Sequence, residues 1–499
     1  ISPEIANGFD FSYSSDTYSL GMLLYFIFFG ESPNTSLIEK KCGHYSRSAI
    51  GFSLCEIIYK CIREDPAKRP NINELASFFL DFYLNLANFD ALNINFVNYI
   101  KCKYEYYVSF LNDPKAQLTL GCYYLNCQYS EQNIKKAIYY LTQAANQNDT
   151  QAQFMIGLAY FNGEYFVQDI DKAINFFTQA AENNHSEAQF YLGSIFLAGK
   201  YVDIDANKSI HYFMLAAQNN HPTAQYNIGY IYFEGKYVKQ DIKKAIYYLK
   251  LSASQNFQQA QLRLGYIYSS AEYASYDIQE AIYYYSLAAE QNNSQALFFL
   301  GCMYFTDEHN IYDINKAIYY YTLAANLNHP ESQFNLGLIY FEGKYVKQDI
   351  SKAIYYYTLS ANQNLPQAQH NLGFIYIDII KDFSKAIYYF TLAADQNYTK
   401  AQFVLGVIFS EGKLIERDIN KAIFYYQLAA DKNDIESLIN LGLLYYQGFY
   451  IKRDIEKAVN YYSLAANLNH LQAQLTLGTI YSEGKLVKRD ITKAIHYLT

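Results

Sequence analysis

Between residues 115 and 499 the apolar, small and polar positions follow one scheme that returns again and again. A glycine marks its centre, at Gly121, Gly157, Gly193, Gly229, Gly265, Gly301, Gly337, Gly373, Gly406, Gly442 and Gly478. The spacing is 36 residues throughout, except for 33 between Gly373 and Gly406. The segment YFEGKYVKQDI stands unchanged at 232–242 and again at 340–350, three periods later. Self-similarity at a fixed period of this size predicts an array of stacked supersecondary units. There are ten full copies and a partial one at the end.

Each copy reads as two antiparallel helices. In the second, helix A carries Ala152, Ile156 and Tyr160 at i, i+4 and i+8. Gly157 removes a side chain where another helix must pass closely, and Gly163 is placed to end the helix. After a short loop, Asp169 is positioned to N-cap helix B. The same position holds Asp205, Asp241, Asp277, Asp313, Asp349, Asp382, Asp418, Asp454 and Asp490, with Asn133 in the first copy. Helix B of that first copy has an apolar stripe of Ala137, Tyr140, Leu141, Ala144 and Ala145, the spacing of one helix face. It stops at an asparagine that recurs as Asn148, Asn184, Asn220, Asn256, Asn292, Asn328, Asn364, Asn397, Asn433 and Asn469. Asparagine tolerates the left-handed conformation that terminates a helix. One such hairpin cannot cover its own apolar faces, so the expected fold is an all-α solenoid.

The pattern A-x-x-x-L-G-x-x-Y-x-x-G…D-x-x-K-A-x-x-Y-Y-x-x-A-A-x-x-N resembles Sel1-like repeats, relatives of the tetratricopeptide repeat, over residues 115–499. Asparagine replaces the family's usual glycine at the helix stop, and tyrosine its usual tryptophan in helix B. Copies without the loop glycine (Cys127, Ala271, Asp307) and the shortened one (Tyr376–Lys385) are expected to differ in loop shape only.

Residues 1–84 lack the period. Asp16 opens an apolar helical run, residues 53–63 form a second amphipathic one, and a third helix runs to Leu84. Three landmarks resemble the end of a protein kinase catalytic domain of tyrosine-kinase-like flavour. They are Ser2-Pro3-Glu4, the run SDTYSLGMLLY from Ser15 to Tyr25, and CIREDPAKRP from Cys61 to Pro70. The resemblance implies that Glu4 pairs with a buried Arg69 and that Asp16 holds the catalytic loop. The phosphate-binding and catalytic motifs of that family would all precede Ile1. This chain therefore carries no catalytic residue and needs no cofactor. ATP and magnesium belong only to a parent protein whose kinase domain is complete. A start at Ile1 and a stop at Thr499, midway through a helix, read as a fragment. Residues 85–114 are expected to be a connector ending in a degenerate capping helix, since 100–114 is similar to the second half of a repeat.

Composition narrows the function classes. Lys and Arg total 39 against 47 Asp and Glu, which leaves no basic footprint for nucleic acid or an anionic membrane. The longest apolar run, 18–29, is too short to span a bilayer. Seven cysteines show neither the repeat period nor metal-ligand spacing and read as reduced thiols in the cytoplasm. Tyrosine is abundant, at 56 residues, and tryptophan is absent.

Within the array, His185, His221, His329 and His470 follow the stop asparagine on separate hairpins and read as loop packing, not metal ligands. The lysine of Lys-Ala, as at Lys172, covers apolar surface with its stem. The tyrosine pairs of helix B are expected to pack. Binding of other proteins or peptides is the leading function. The tetratricopeptide resemblance implies that helix A lines a concave face, with an apolar column that includes Phe154, Phe190, Tyr226 and Phe334; the alternative is that the column packs between hairpins and the row beside it is mere surface. The next residue varies freely, as Met155, Tyr191, Asn227, Arg263, Phe299, Asn335 and Asn371. A variable position beside a constant scaffold is where partner choice can be encoded. The expected function is a protein–protein interaction scaffold attached to a kinase domain. Two alternatives stay open, an active parent kinase and a pseudokinase docking module.

Overall fold

The computed structural model describes residues 113–126, 131–273, 275–306 and 311–499, with Ile58, Lys60, Cys61, Lys68 and Arg69 alone from the earlier chain. Glu4, Asp16 and the connector up to residue 112 lie outside the described residues, as do the loop positions Cys127 and Asp307. Arg69 is buried, at 7% exposure. Among the described residues all regular structure is helical, from Pro114–Asn126 to Ile491–Leu498. The chain forms two compact units, Ile1–Ser252 and Ala253–Thr499. Within each unit the two helices of a repeat pack on each other, as Thr150–Asn162 and Ile170–Glu182 do, and helix B packs on the next helix A, as Ile314–Asn326 does on Pro330–Glu342.

The helix ends follow from the local sequence. Asp169 Oδ1 accepts from the Lys172 backbone N–H at 3.0 Å, and Asp349 Oδ1 from that of Lys352 at 2.9 Å. Such a cap contributes about 0.5–2 kcal/mol. The first repeat departs from expectation. Its helix B begins at Glu131, so Asn133 sits inside the first turn and not at the cap. Every stop asparagine is left-handed, with φ between 59° and 64°. After it the chain turns back, and the Asp149 N–H donates to Ala144 O at 3.1 Å. That bond satisfies a carbonyl the helix end would leave orphaned.

The core of each hairpin is one contact. The central residue of helix B, Phe177 in the second repeat, is fully buried and lies against the Leu-Gly glycine of helix A. A Cβ on Gly157 would stand 2.7 Å from the Phe177 ring. In the shortened repeat, helix Pro366–Ile375 runs into a π-helical turn, Tyr376–Ile380. Lys381, with φ 64°, then ends it.

Candidate partner-binding surface

The apolar column on helix A turns out to be shared with the solenoid's own packing. In the first unit, Phe154 stacks on His185 at 4.6 Å and lies 5.8 Å from Phe177. Phe190 repeats this with His221 at 4.7 Å. In the second unit, Phe334 lies 5.7 Å from Tyr357. Phe154 is buried; Phe190, Tyr226 and Phe334 keep part of their surface in solvent.

The variable row sits one residue further and is half-buried at every described copy. It rests on the central residue of the preceding helix B. Tyr191 lies 5.3 Å from Phe177 and Phe299 stacks on Tyr285 at 5.2 Å. Asn371 Nδ2 donates to Tyr357 Oη at 3.2 Å; the Tyr321 hydroxyl, near Asn335, donates to Cys302 Sγ at 3.4 Å. The Met155 and Cys122 sulfurs are 3.6 Å apart. Arg263 lies close enough to Tyr285 to favour its phenolate, but burial is the larger effect and pushes that phenol up to about 12. Burial likewise pushes Tyr357 up to about 12. These hydroxyls stay protonated and available for hydrogen bonds.

Two roles were not readable from the pattern. A glutamine of helix A is buried in most repeats, among them Gln153, Gln189, Gln333 and Gln369. Gln333 Nε2 donates to Ala325 O at 3.1 Å, at the end of the preceding helix B. Gln333 Oε1 accepts from Gln363 Nε2 at 2.7 Å, at the end of its own helix B. The glutamine thus bridges consecutive hairpins and satisfies a terminal carbonyl. Its recurrence directly after the small residue, as in Ala152-Gln153 and Ala188-Gln189, was the available signal.

The second role belongs to the recurring histidines, which cap helix A. His185 Nδ1 accepts from the Ala188 N–H at 3.3 Å and His329 Nδ1 from that of Ser332 at 3.3 Å. Nδ1 must be unprotonated to accept, which assigns the proton to Nε2. His185 Nε2 faces Gln151 Oε1 at 3.0 Å. Burial holds both imidazoles below the ordinary value of 6.5, against the opposing pull of Glu187 and Asp149 on His185 and of Glu331 on His329. The folded state therefore binds fewer protons than the unfolded state below pH 6.5, and stability falls as pH drops through that window. Thermal melts from pH 7.5 to 5.5 should show this loss, and H185N with H329N, which keep a cap acceptor, should flatten the curve. An unchanged slope in the double variant would mean that these imidazoles do not titrate in the transition.

The outer face of helix B is also aromatic. In Tyr319-Tyr320-Tyr321 the first ring is 58% exposed, and the third is buried at 2%. The second ring stacks on Tyr304 at 5.7 Å. Lys316 Nζ caps that stack from above, 4.9 Å from the Tyr304 ring. The lysine thus adds a cation–π contact to the expected cover by its stem. Among the described residues no group of three or more His, Cys, Asp and Glu is placed to hold a metal ion. No helix there is long and apolar enough to cross a membrane.

The Sel1 repeat profile matches eleven consecutive segments, from 114–149 to 471–499, with the shortened copy at 366–398. The chain belongs to the Sel1-repeat family. The crystal structure of a protective antigen present in uropathogenic Escherichia coli strains, which displays an SLR fold, is similar at 28% identity and a TM-score of 0.59. That match covers 78% of this chain and 84% of the antigen. A Sel1 repeat protein from Oxalobacter formigenes is 23% identical over 74% of this chain and 94% of its own, with a TM-score of 0.43. No curated protein matches the chain. Sel1 repeats thus account for the whole described array, loops of unequal shape included.

Proposed function

We propose that this Sel1-repeat array is a protein-interaction scaffold whose partner is a protein or peptide and not a nucleic acid. One observation carries the reading. Geometrically equivalent, half-exposed positions on helix A hold chemically different residues, among them Tyr191 and Asn227 in the first unit and Arg263, Phe299 and Asn335 in the second. Constant glycines, caps and stops hold these positions in place, so the variation alters surface chemistry without altering the frame. The net charge of −8 favours protein partners over polyanions. The array itself needs no cofactor. Capture from a lysate of the source cells, by the full chain and by Y191A with R263E, tests the reading. Loss of specific partners in the variant is expected; an unchanged set would reassign the row to packing.

A second reading rests on the kinase-like landmarks. It is favoured by one feature, the burial of Arg69, which the resemblance pairs with Glu4. On this reading the array brings substrates or regulators to a kinase domain that uses ATP and magnesium. Sequencing the transcript upstream of Ile1 tests it: intact His-Arg-Asp and Asp-Phe-Gly motifs support a kinase, their loss supports a docking pseudokinase, and unrelated sequence overturns both.

A further inference from the structure

The shortened repeat lacks a tyrosine lid that two full-length repeats supply to the repeat before them. The loop segment Gly-Lys-Tyr-Val occurs at 199–202, 235–238 and 343–346. Its tyrosine reaches back to the last aromatic of the preceding helix A. Tyr201 meets Phe161 edge-on, with centroids 5.5 Å apart and rings at 71°. Tyr345 meets Phe305 in the same way, at 5.5 Å and 73°. The equivalent of Phe305 one repeat later is Phe341, and the loop that would cover it belongs to the 33-residue copy. That loop is anchored as in the full-length copy. Asp382 N donates to Tyr376 O at 2.9 Å, just as Asp349 N donates to Tyr340 O at 3.0 Å. The anchors are kept, and the three missing residues come out of the tyrosine-bearing segment between them.

What remains over Phe341 is an open apolar pocket of about 380 Å³, whose lining includes Leu338, Phe341, Glu342, Asn371 and Phe374. A second pocket of about 300 Å³ adjoins it and shares Phe374. Phe374 is 38% exposed. We propose that this groove in the second unit receives a tyrosine side chain, preceded by a lysine, from an extended segment of a partner protein. The occupant is argued from the chain itself, because in two full-length repeats the same site is filled by a tyrosine, Tyr201 and Tyr345. In the internal template a lysine precedes that tyrosine, and Lys344 Nζ lies 5.1 Å over the Tyr345 ring. Exposed Glu342 at the rim suits such a cation. The proposal rests on the scaffold reading and gives it a ligand class.

The probe is a fluorescein-labelled peptide Glu-Gly-Lys-Tyr-Val-Lys-Gln-Asp, titrated against the full chain by fluorescence anisotropy. Saturable binding is expected, weakened at least about tenfold when the peptide's tyrosine is alanine, as for loss of an aromatic anchor. Replacing residues 378–381 by Glu-Gly-Lys-Tyr-Val-Lys-Gln restores the 36-residue period and should abolish binding. F374A, at an exposed rim position, should weaken it and serves if the loop-restored chain does not fold. Absence of binding, equal affinity for the two peptides, or undiminished binding by the loop-restored chain or, if that chain does not fold, by F374A overturns the proposal. So does concentration-dependent dimerisation that loop restoration abolishes, which would assign the groove to a second copy. Failure here with Arg263-dependent capture intact refutes this site alone; failure of both refutes the scaffold.

Discussion

Replacing Phe177 by alanine is expected to lower the stability of the first unit by about 3–5 kcal/mol. The side chain is fully buried. Its ring lies 5.8 Å from Phe154, 6.3 Å from Phe161 and 5.3 Å from Tyr191. Two of those neighbours belong to its own repeat and one to the next, so truncation removes packing within a hairpin and between hairpins together. In a solenoid the second loss propagates, because stability is built from nearest-neighbour terms. The cavity cannot close cheaply, since Gly157 offers no side chain to fill it. Urea unfolding followed by circular dichroism would read the change as a lower midpoint at an unchanged slope. Y139A is the control: that ring is 59% exposed and its loss should stay within about 0.5 kcal/mol. A comparable loss in both would mean that the helix B centre is not where the unit's stability is concentrated.

The sequence showed the frame because the frame is written in backbone requirements. A left-handed stop, a cap oxygen and a glycine at a close approach each restrict a position to one or two residue types, so they recur visibly. Contacts that several residue types can make were hidden. The helix A column is aromatic whether it faces a partner or the next hairpin, and hydropathy alone cannot say which. In the folded chain Phe154 lies on His185. The histidines looked like loop residues because a cap is expected from Ser, Thr, Asp or Asn; their equivalence to Asp149 and Asn293, which cap the same position in other repeats, was the missed signal. The buried tyrosines are a subtler case. The hydroxyl of Tyr285 pairs with Ser269 at 3.3 Å, that of Tyr426 with Ser410 at 3.2 Å, and that of Tyr357 with Asn371. Ser269 and Ser410 share one position on the tyrosine's own helix A, whereas Asn371 stands on the next helix A, so no single repeat position carries the partner. The shortened repeat was expected to alter loop shape alone, and its anchor is indeed kept. The consequence for its neighbour's Phe341 is a property of stacking and lies in no single copy.

Gly337→Ala is expected to be damaging in the second unit too, at about 1–3 kcal/mol. A Cβ at this position would stand 2.6 Å from Tyr357 Cδ1 and 2.7 Å from Cε1. The ring is fully buried and its hydroxyl is held by Asn371, so moving it away would break that hydrogen bond. The clash is a consequence of helix spacing, not of the ring. Where the partner is leucine the contact is just as close: a Cβ on Gly121 would lie 2.5 Å from Leu141 Cγ. The double variant G337A with Y357L should therefore stay destabilised, whereas G337A with Y357A should recover part of the loss by making room. The Tyr357→Ala single variant supplies the baseline, and the cycle of four proteins isolates the coupling. Full rescue by leucine would show that ring shape sets the glycine requirement. No coupling at all would show that the helices can move apart, and that the recurring glycine marks something other than close approach.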